Sequence, residues 1–152
     1  MEELYINIIN RIAAEVPELS LIDEDYGQLE MSAEDDAYPV TYPCVLIGND
    51  ETEWEDLTGD TQRGRATLTV RLATDCYHDT HYTSGTYDHV RERRRLLRKV
   101  YRALHRFRAA PNASALTRVR SRGYSMPHGI KVSEMTFAFR ISDQIWSANS
   151  RS

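Results

Sequence analysis

The sequence is poor in cysteine and has no long apolar run, and each shortage excludes a class of protein. Two cysteines in 152 residues, Cys44 and Cys76, are too few for a disulfide framework and fit reduced thiols in a cytosolic protein. Without a stretch of about 20 apolar residues, the sequence predicts no transmembrane helix. The N-terminal stretch lacks the basic region and cleavage site of a signal peptide, so it is predicted to be a helix of the folded protein.

Basic residues are almost absent from the first part of the chain. Residues 1–60 contain 17 acidic residues and one base, a net charge of −16. Residues 61–152 contain 6 acidic residues and 18 bases, a net charge of +12, so the whole chain carries −4. This layout predicts either an electrostatic dipole or a fold that lays its acidic half over its basic half, and both favour partners selected by charge.

Apolar residues at helical spacing predict two helices. The first extends from about Leu4 to Val16 and is ended by Pro17. The second, 87–108, is long and amphipathic, with apolar residues on one side and bases on the other. The bases predicted to line its polar face are Arg91, Arg95, Arg98, Lys99, Arg102 and Arg106.

Alternating apolar residues predict the strands of an α+β domain. In "QRGRATLTVRLATD" the alternation places Arg65 and Arg71 on a solvent-exposed face. A bulge near Ser133 or Glu134 is needed to bring the apolar residues of the last strand onto one face. "ELSLIDEDYGQLEMSAEDDAY" is interpreted as a short strand followed by an acidic loop, and "NDETEWEDLTGD" as a polar connection. The predicted strands are 19–22, "YPVTYPCVLIG", 62–75, 116–124 and 130–141.

The element order α, β, β, β, α, β, β predicts a mostly antiparallel sheet of four to five strands. The N-terminal helix and the long basic helix are expected to pack on one face of that sheet. The length is that of one ordinary domain. We therefore expect a single domain over 1–152, with 143–152 as a flexible C-terminal tail.

The motifs of common enzyme classes are missing. Ser125 and His128 are close in sequence, but no glycine elbow or orienting acid accompanies them. "GDTQRGRAT" has the glycine spacing of a phosphate-binding loop, but Arg65 replaces the lysine, Ala66 replaces the hydroxyl residue, and a strand follows. This segment is interpreted as a hairpin turn. We expect no catalytic activity and no cofactor.

A weak metal-binding pattern occurs in "CYHDTH". Cys76, His78 and His81 are possible zinc ligands, and a fourth would have to be Asp79 or His128. A solvent-exposed loop without metal is the favoured interpretation of this segment.

The bases suggest two kinds of partner. The basic face of the long helix can contact nucleic-acid phosphates, but no aromatic residue shares that face to stack on bases, and the chain has no helix-turn-helix or RNA-binding motif. The alternative is an acidic protein surface. A second basic row is predicted in the strand that follows the helix, formed by Arg118, Arg120 and Arg122.

An acidic cluster surrounds one tryptophan in the first half of the chain. Trp54 lies among Glu53, Glu55 and Asp56. This arrangement suits an anchor for a partner with a basic rim, and packing of Trp54 on its own domain remains the alternative.

The element order resembles that of the tail-completion or tail-terminator proteins of long-tailed bacteriophages, which take part in head–tail joining. The resemblance covers most of the chain and is carried by "YPVTYPCVLIG" with the acidic "TEWEDLTGD", by "TLTVRLATDCYHD" and by "VRERRRLLRKVYRALHRF". It is a likeness of pattern and not of a signature motif. It implies a structural virion protein, without enzymatic activity, that completes the tail tube.

The resemblance also implies partners and a location. Such proteins usually form hexameric rings, so the expected partners are other copies of the chain, tail-tube and head-connector proteins, and transiently the DNA in the channel. The implied location is the tail or neck of a virion, with assembly in the cytoplasm of the host bacterium and no membrane contact. A non-enzymatic nucleic-acid-binding module that uses the helix 87–108 is the alternative function, and an enzyme that uses the Cys76–His81 loop is a third.

Overall fold

A computed structural model describes residues 2–34, 40–75 and 86–144 of the chain. Five strands form one sheet in the order β1-β2-β3-β5-β4, in which β1 is parallel to β2 and every other pair is antiparallel. The predicted α+β architecture is confirmed. The elements are α1 (Glu2–Glu15), β1 (Leu21–Glu24), α2 (Gln28–Glu34), β2 (Cys44–Asp56), β3 (Thr61–Asp75), α3 (Thr86–Leu104), β4 (Thr117–Met126) and β5 (Ile130–Gln144).

The main core lies between the sheet and the pair of helices α1 and α3. Leu4, Ile8 and Ile12 recur at four-residue spacing on α1 and are fully buried, as the periodicity predicts. They share one cluster with Leu104 of α3 and Phe137 of β5. We call this side of the sheet the helix face. Burial of each such side chain contributes about 1.5–3 kcal/mol, so the core depends on this face.

The basic helix is shorter than the predicted 87–108 and ends at Leu104. Arg106 adopts a left-handed backbone conformation with φ of 68°, and its amide N donates to the Leu116 carbonyl O at 2.7 Å. This bond turns the chain towards β4 and prevents another helical turn. At the same end, Arg11 Nε of α1 donates to the Ala103 carbonyl O at 3.0 Å, where helix carbonyls lack partners.

A third helix, α2, occupies part of the predicted acidic loop. The helix begins at Gln28, whose side-chain amide fixes the preceding turn. Its Oε1 accepts from the Tyr26 backbone N at 2.8 Å, and its Nε2 donates to the Glu24 carbonyl O at 2.8 Å. Leu29 then packs against Cys44 on the face opposite α1 and α3, which we call the α2 face. The expectation that both long helices share one face is confirmed, while the acidic-loop interpretation of this segment was wrong.

The last strand contains no bulge in its pairing with β3. The register continues unbroken from Thr61 opposite Gln144 to Asp75 opposite Ile130. Ile130 and Val132 therefore lie on the α2 face, where they join the second cluster. The predicted bulge was wrong because both faces of the sheet are apolar at this end. β5 also includes the first two residues of the predicted tail, and 145–152 lies outside the described residues.

The predicted polar connection after Ile47 is strand, because β2 and β3 form a long hairpin. The register shifts between Gly48 and Glu51, and pairing then continues to Asp56 opposite Gln62. A tight turn closes the hairpin, with the Leu57 amide N donating to the Thr61 carbonyl O at 3.0 Å. Most of the segment interpreted as a hairpin turn is therefore strand. We call Asn49–Asp56, which lies beyond the pairing with β1, the acidic arm.

Arg71 is buried on the α2 face, so the prediction of a solvent-exposed position was wrong. Its guanidinium contacts both carboxylate oxygens of Asp25, at 2.6 and 2.9 Å, and both of Glu30, at 2.7 and 3.2 Å. Tyr124 Oη lies 3.2 Å from Arg71 Nη1. Gly48 permits the approach, since a Cβ there would lie 2.9 Å from Asp25 Cβ. These contacts hold the start of α2 on the sheet.

The pKa values in this cluster follow from the pairing. Burial alone would lower the pKa of Arg71, but its hydrogen bonds with Glu30 and Asp25 raise the pKa above its ordinary value. The hydrogen bond from Arg71 lowers the pKa of Glu30. Both shifts favour the charged forms, so the cluster is an ion-paired network at neutral pH.

Replacement of Arg71 by methionine tests the cost of leaving Asp25 buried without its partner. We expect Arg71→Met to lower the free energy of unfolding by about 3–5 kcal/mol, measured by urea denaturation. Arg65→Met is the matched control, because Arg65 is exposed on the same strand and should change stability by no more than about 0.5 kcal/mol. Equal effects would contradict the assigned role of Arg71.

The acid sensitivity of the fold tests the ion pair between Arg71 and Glu30. Because the pKa of Glu30 is depressed in the folded state, its stabilising contribution is present above its usual pKa of about 4.3 and is lost as the pH falls below that value. We expect Glu30→Gln to reduce the loss of unfolding free energy between about pH 5 and pH 3. Urea denaturation across this range measures the slope, and an unchanged slope would contradict the pairing.

Candidate functional site

The acidic half meets the basic helix within the same chain at Glu18. Lys99 Nζ lies 2.7 Å from Glu18 Oε2, and Arg95 Nη2 lies 3.3 Å from the same oxygen. Arg95 also contacts Glu92 on its own helix at 2.7 Å. The hydrogen bond from Lys99 lowers the pKa of Glu18. Exposed pairs of this kind contribute little to stability, so they fix the position of the helix more than they stabilise the fold.

Three arginines of α3 form a basic stripe. Arg94, Arg98 and Arg102 are spaced four residues apart, so they lie in a row along the helix, and all three are exposed. Within the described residues they have no ion pair. Two other predicted members of the basic face lie outside this stripe. Arg91 Nη1 makes a long ion pair of 3.9 Å with Asp88 Oδ1, and Arg106 lies beyond the end of the helix. The predicted single basic face therefore divides into members paired within the chain and a stripe open to a partner.

The predicted basic row on β4 is also divided, by an irregularity in its pairing. Arg118 is opposite Phe137 and Arg120 is opposite Thr136, so the extra residue, Val119, separates them. Arg118 consequently lies on the helix face, with its guanidinium carbon 3.8 Å from the centre of the Tyr101 ring. The prediction that all three arginines share one face was wrong.

The other two arginines of this row lie on the α2 face. Arg122 contacts Glu134 at 2.5 Å. Arg120 is exposed and forms no ion pair within the described residues. Arg120 is therefore the member of the row most available to a partner.

The acidic arm presents its glutamates on the α2 face. Glu51, Glu53 and Glu55 alternate along β2, opposite Thr67, Arg65 and Arg63 of β3. Glu55 reaches Arg63 at 3.5 Å. Glu51 and Glu53 are exposed and form no ion pair within the part of the chain that the structure describes. Of the predicted acidic residues, Glu53 and Glu55 share the α2 face, while Asp56 lies on the other face and accepts from Gln62 Nε2 at 2.7 Å.

Trp54 lies on the opposite face of the arm, over Gly64 of β3. A Cβ at Gly64 would lie 3.0 Å from the Trp54 ring and 2.6 Å from Thr52 Cγ2, so this close packing requires glycine. The Trp54 side chain nevertheless remains 42% exposed. The ring packs on its own domain, as one interpretation predicted, and its role as an anchor for a partner stays a prediction.

An open groove of about 750 Å³ lies on the α2 face between the acidic arm and β4. Glu51 and Glu53 contribute to its lining from one strand, and Thr117 and Val119 from another. Arg65 and Arg140 also line it. Carboxylates, guanidinium groups and apolar side chains in one shallow groove suit contact with a protein segment better than enclosure of a small molecule.

Of the weak catalytic and metal candidates, the structure describes Ser125 and His128 but not the Cys76–His81 loop. Ser125 Oγ is 2.8 Å from Lys131 Nζ. Cys76, His78 and His81 lie outside the described residues, as does Asp79. Within residues 2–34, 40–75 and 86–144, no three side chains of His, Cys, Asp or Glu are grouped to hold a metal ion. No helix in those ranges is both long and apolar enough to cross a membrane.

The sequence matches no known protein family and no curated protein. The fold, however, is similar to that of a chain in a solved structure described as the virion of a native gene transfer agent (GTA) particle. The similarity covers 93% of this chain and 93% of that chain, with a TM-score of 0.57 and 10% sequence identity. The two proteins share a fold at low sequence identity.

The packing of Trp54 on Gly64 can be tested by adding a methyl group at position 64, with the substitution Gly64→Ala. In a Trp146→Phe background, we expect Gly64→Ala to displace the Trp54 ring, shift its fluorescence to longer wavelength and lower stability. Gly123→Ala is the matched control, because a Cβ there would meet only the Val132 carbonyl O at 3.8 Å, an ordinary contact. An unchanged Trp54 spectrum in the Gly64 variant would contradict this packing.

Proposed function

We propose that this protein is a structural component of a phage-like virion that acts in the neck or tail, where it completes the tail tube and joins it to the head connector. One observation carries the proposal. The fold matches a chain of a gene transfer agent virion along 93% of both chains, so the likeness covers the whole domain and not one motif. A structural role without catalysis is in keeping with interaction surfaces that consist of charged side chains.

The charge layout supports assembly into a ring. In a head-to-tail ring each copy presents one surface to a different surface of its neighbour. The acidic arm and the arginines of β4 and α3 are two such surfaces of opposite sign, and Glu53 and Arg120 lack an ion pair within the described residues. Opposite charges then select the partner and fix the register of the contact.

The proposed partners are other copies of the chain, a tail-tube protein and a head-connector protein. Part of the basic stripe on α3 would contact DNA in the channel transiently. The protein would assemble in the cytoplasm of a host bacterium and remain in the neck or tail of the particle.

Assembly can be measured directly by mass photometry and negative-stain electron microscopy. We expect rings of the wild-type protein, alone or with its tail-tube partner, and fewer rings at 1 M salt than at 0.1 M salt because exposed charge pairs are screened. A protein that remains monomeric at high micromolar concentration, with and without the partner, would overturn the proposal.

Nucleic-acid binding through the stripe of Arg94, Arg98 and Arg102 is the second candidate function. The favourable observation is that these three side chains have no ion pair within the described residues. Against it, the chain as a whole carries a net charge of −4, which opposes approach to a polyanion.

Duplex binding distinguishes the two functions. We expect the wild-type protein to bind duplex DNA no more tightly than a Kd of about 100 μM at physiological salt, the weak end of non-specific binding. The alternative function instead requires tighter binding, which Arg98→Glu/Arg102→Glu would abolish and which would weaken steeply with salt. Arg120→Glu/Arg122→Glu, which makes the same change of −4 in net charge on β4, is the control.

A further inference from the structure

Besides the outer side of β1, the sheet has two strand edges without a neighbouring strand in the described residues. β1 pairs only with Cys44–Ile47, so the acidic arm is hydrogen-bonded on its β3 side alone. β4 is the last strand of the sheet and pairs with β5 alone, although its Arg118 amide N donates to His105 Nδ1 at 3.2 Å. Each edge therefore presents a row of backbone donors and acceptors that another strand can use.

The two edges carry opposite charge. The acidic arm contains five acidic residues and no base over 49–56, while β4 contains three arginines and no acidic residue over 117–126. Pairing of two acidic arms, or of two β4 strands, would bring like charges together, whereas the acidic arm and β4 attract each other. Each edge thus selects the other.

The charged rows also lie on the same face of the sheet. Glu53 is opposite Arg65, and Arg65 is opposite Arg140. Thr136, four residues before Arg140 on β5, shares its face and is opposite Arg120. Glutamates of the arm and Arg120 are therefore on the α2 face, where cross-strand neighbours of two joined sheets would have Cβ atoms about 4.5–5.5 Å apart.

Strand direction permits the same contact. β2 is antiparallel to β3, β3 to β5, and β5 to β4, so β2 and β4 run in opposite directions within one chain. Rotation about a ring axis preserves the direction of every strand along that axis. β4 of one copy and β2 of the next would therefore meet as antiparallel strands.

We infer that the acidic arm of one copy adds as an antiparallel strand to β4 of the next copy and joins their sheets. The inference rests on the proposed assembly into a ring and specifies the contact that closes it. Pairing of Glu51, Glu53 and Glu55 with Arg120 and Arg122 sets the register, and the joined sheets leave neither of the two edges exposed. The partner is a second copy of this chain.

Charge exchange between the edges tests the inference. We expect Glu51→Lys/Glu53→Lys and Arg120→Glu/Arg122→Glu each to reduce the fraction of protein in rings at least tenfold. A mixture of the two variants should restore rings of alternating copies, and one chain that carries all four substitutions should also restore them. Glu2→Lys/Glu3→Lys, which makes the same change in charge as Glu51→Lys/Glu53→Lys but on α1, should assemble like the wild type.

Disulfide trapping tests the contact independently of the charge changes. Cys44 is buried, and burial raises the pKa of its thiol to about 12, so it stays unreactive; Cys76→Ser provides the background. We expect Arg120→Cys mixed with Glu51→Cys, Glu53→Cys or Glu55→Cys to give a cross-linked dimer in one pairing above the others. Each variant alone should give none, and Arg120→Cys with Glu2→Cys is the control.

The outcomes separate this inference from the proposed function. If the wild-type protein forms rings and both charge-exchange variants do so equally, the edge contact is wrong and the ring proposal stands. Rings that are lost in each variant but not restored in the mixture or the combined chain also overturn the edge contact, in favour of a strand from another virion protein. A wild-type protein without rings under any condition overturns both.

Discussion

The buried ion pair between Arg71 and Asp25 determines how the first half of the chain lies on the sheet. Asp25 leaves the end of β1 with its backbone N bonded to the Ile47 carbonyl O at 2.8 Å, and its carboxylate turns under the sheet to the guanidinium. The chain then continues as α2 instead of extending β1. Because β1 stops there, the rest of β2 has no neighbouring strand on that side within the described residues, and the acidic arm is a free edge of that part of the sheet.

The charges of the sequence are consequently used in three different ways. Arg71 is neutralised in the interior, where an unpaired charge would be costly. Lys99 and Glu18 orient one helix at the surface. Arg120 and Glu53 have no ion pair within the described residues, and the proposed contact between copies gives them one. The separation of acid and base along the sequence thus serves folding in one place and, in the proposed assembly, recognition in another.

Features that depend on periodicity were predicted correctly from the sequence. Features that depend on contacts between two elements distant in sequence were not. The apolar stripe of α1 and the alternation of β3 depend on spacing alone, so both were predicted correctly. The role of Arg71 was missed because alternation shows on which face of the sheet Arg71 lies, but not that α2 covers this face. The pair Asp25 and Glu30 is 41 or more residues from Arg71, and only the parallel pairing of β1 with β2 brings them together. Among the candidate interface residues, the short-range pattern similarly failed to predict the extra residue at Val119, which separates Arg118 from Arg120.

Gly48 has a consequence for the evolution of this fold. Its only side-chain atom is hydrogen, and a methyl group there would lie 2.9 Å from Asp25 Cβ and 3.2 Å from the Asp25 carbonyl O. The similar fold at 10% identity shows that very different sequences can adopt this architecture. At Gly48, a lineage that acquired alanine would also have to move the segment around Asp25, so this position can change only together with its neighbour.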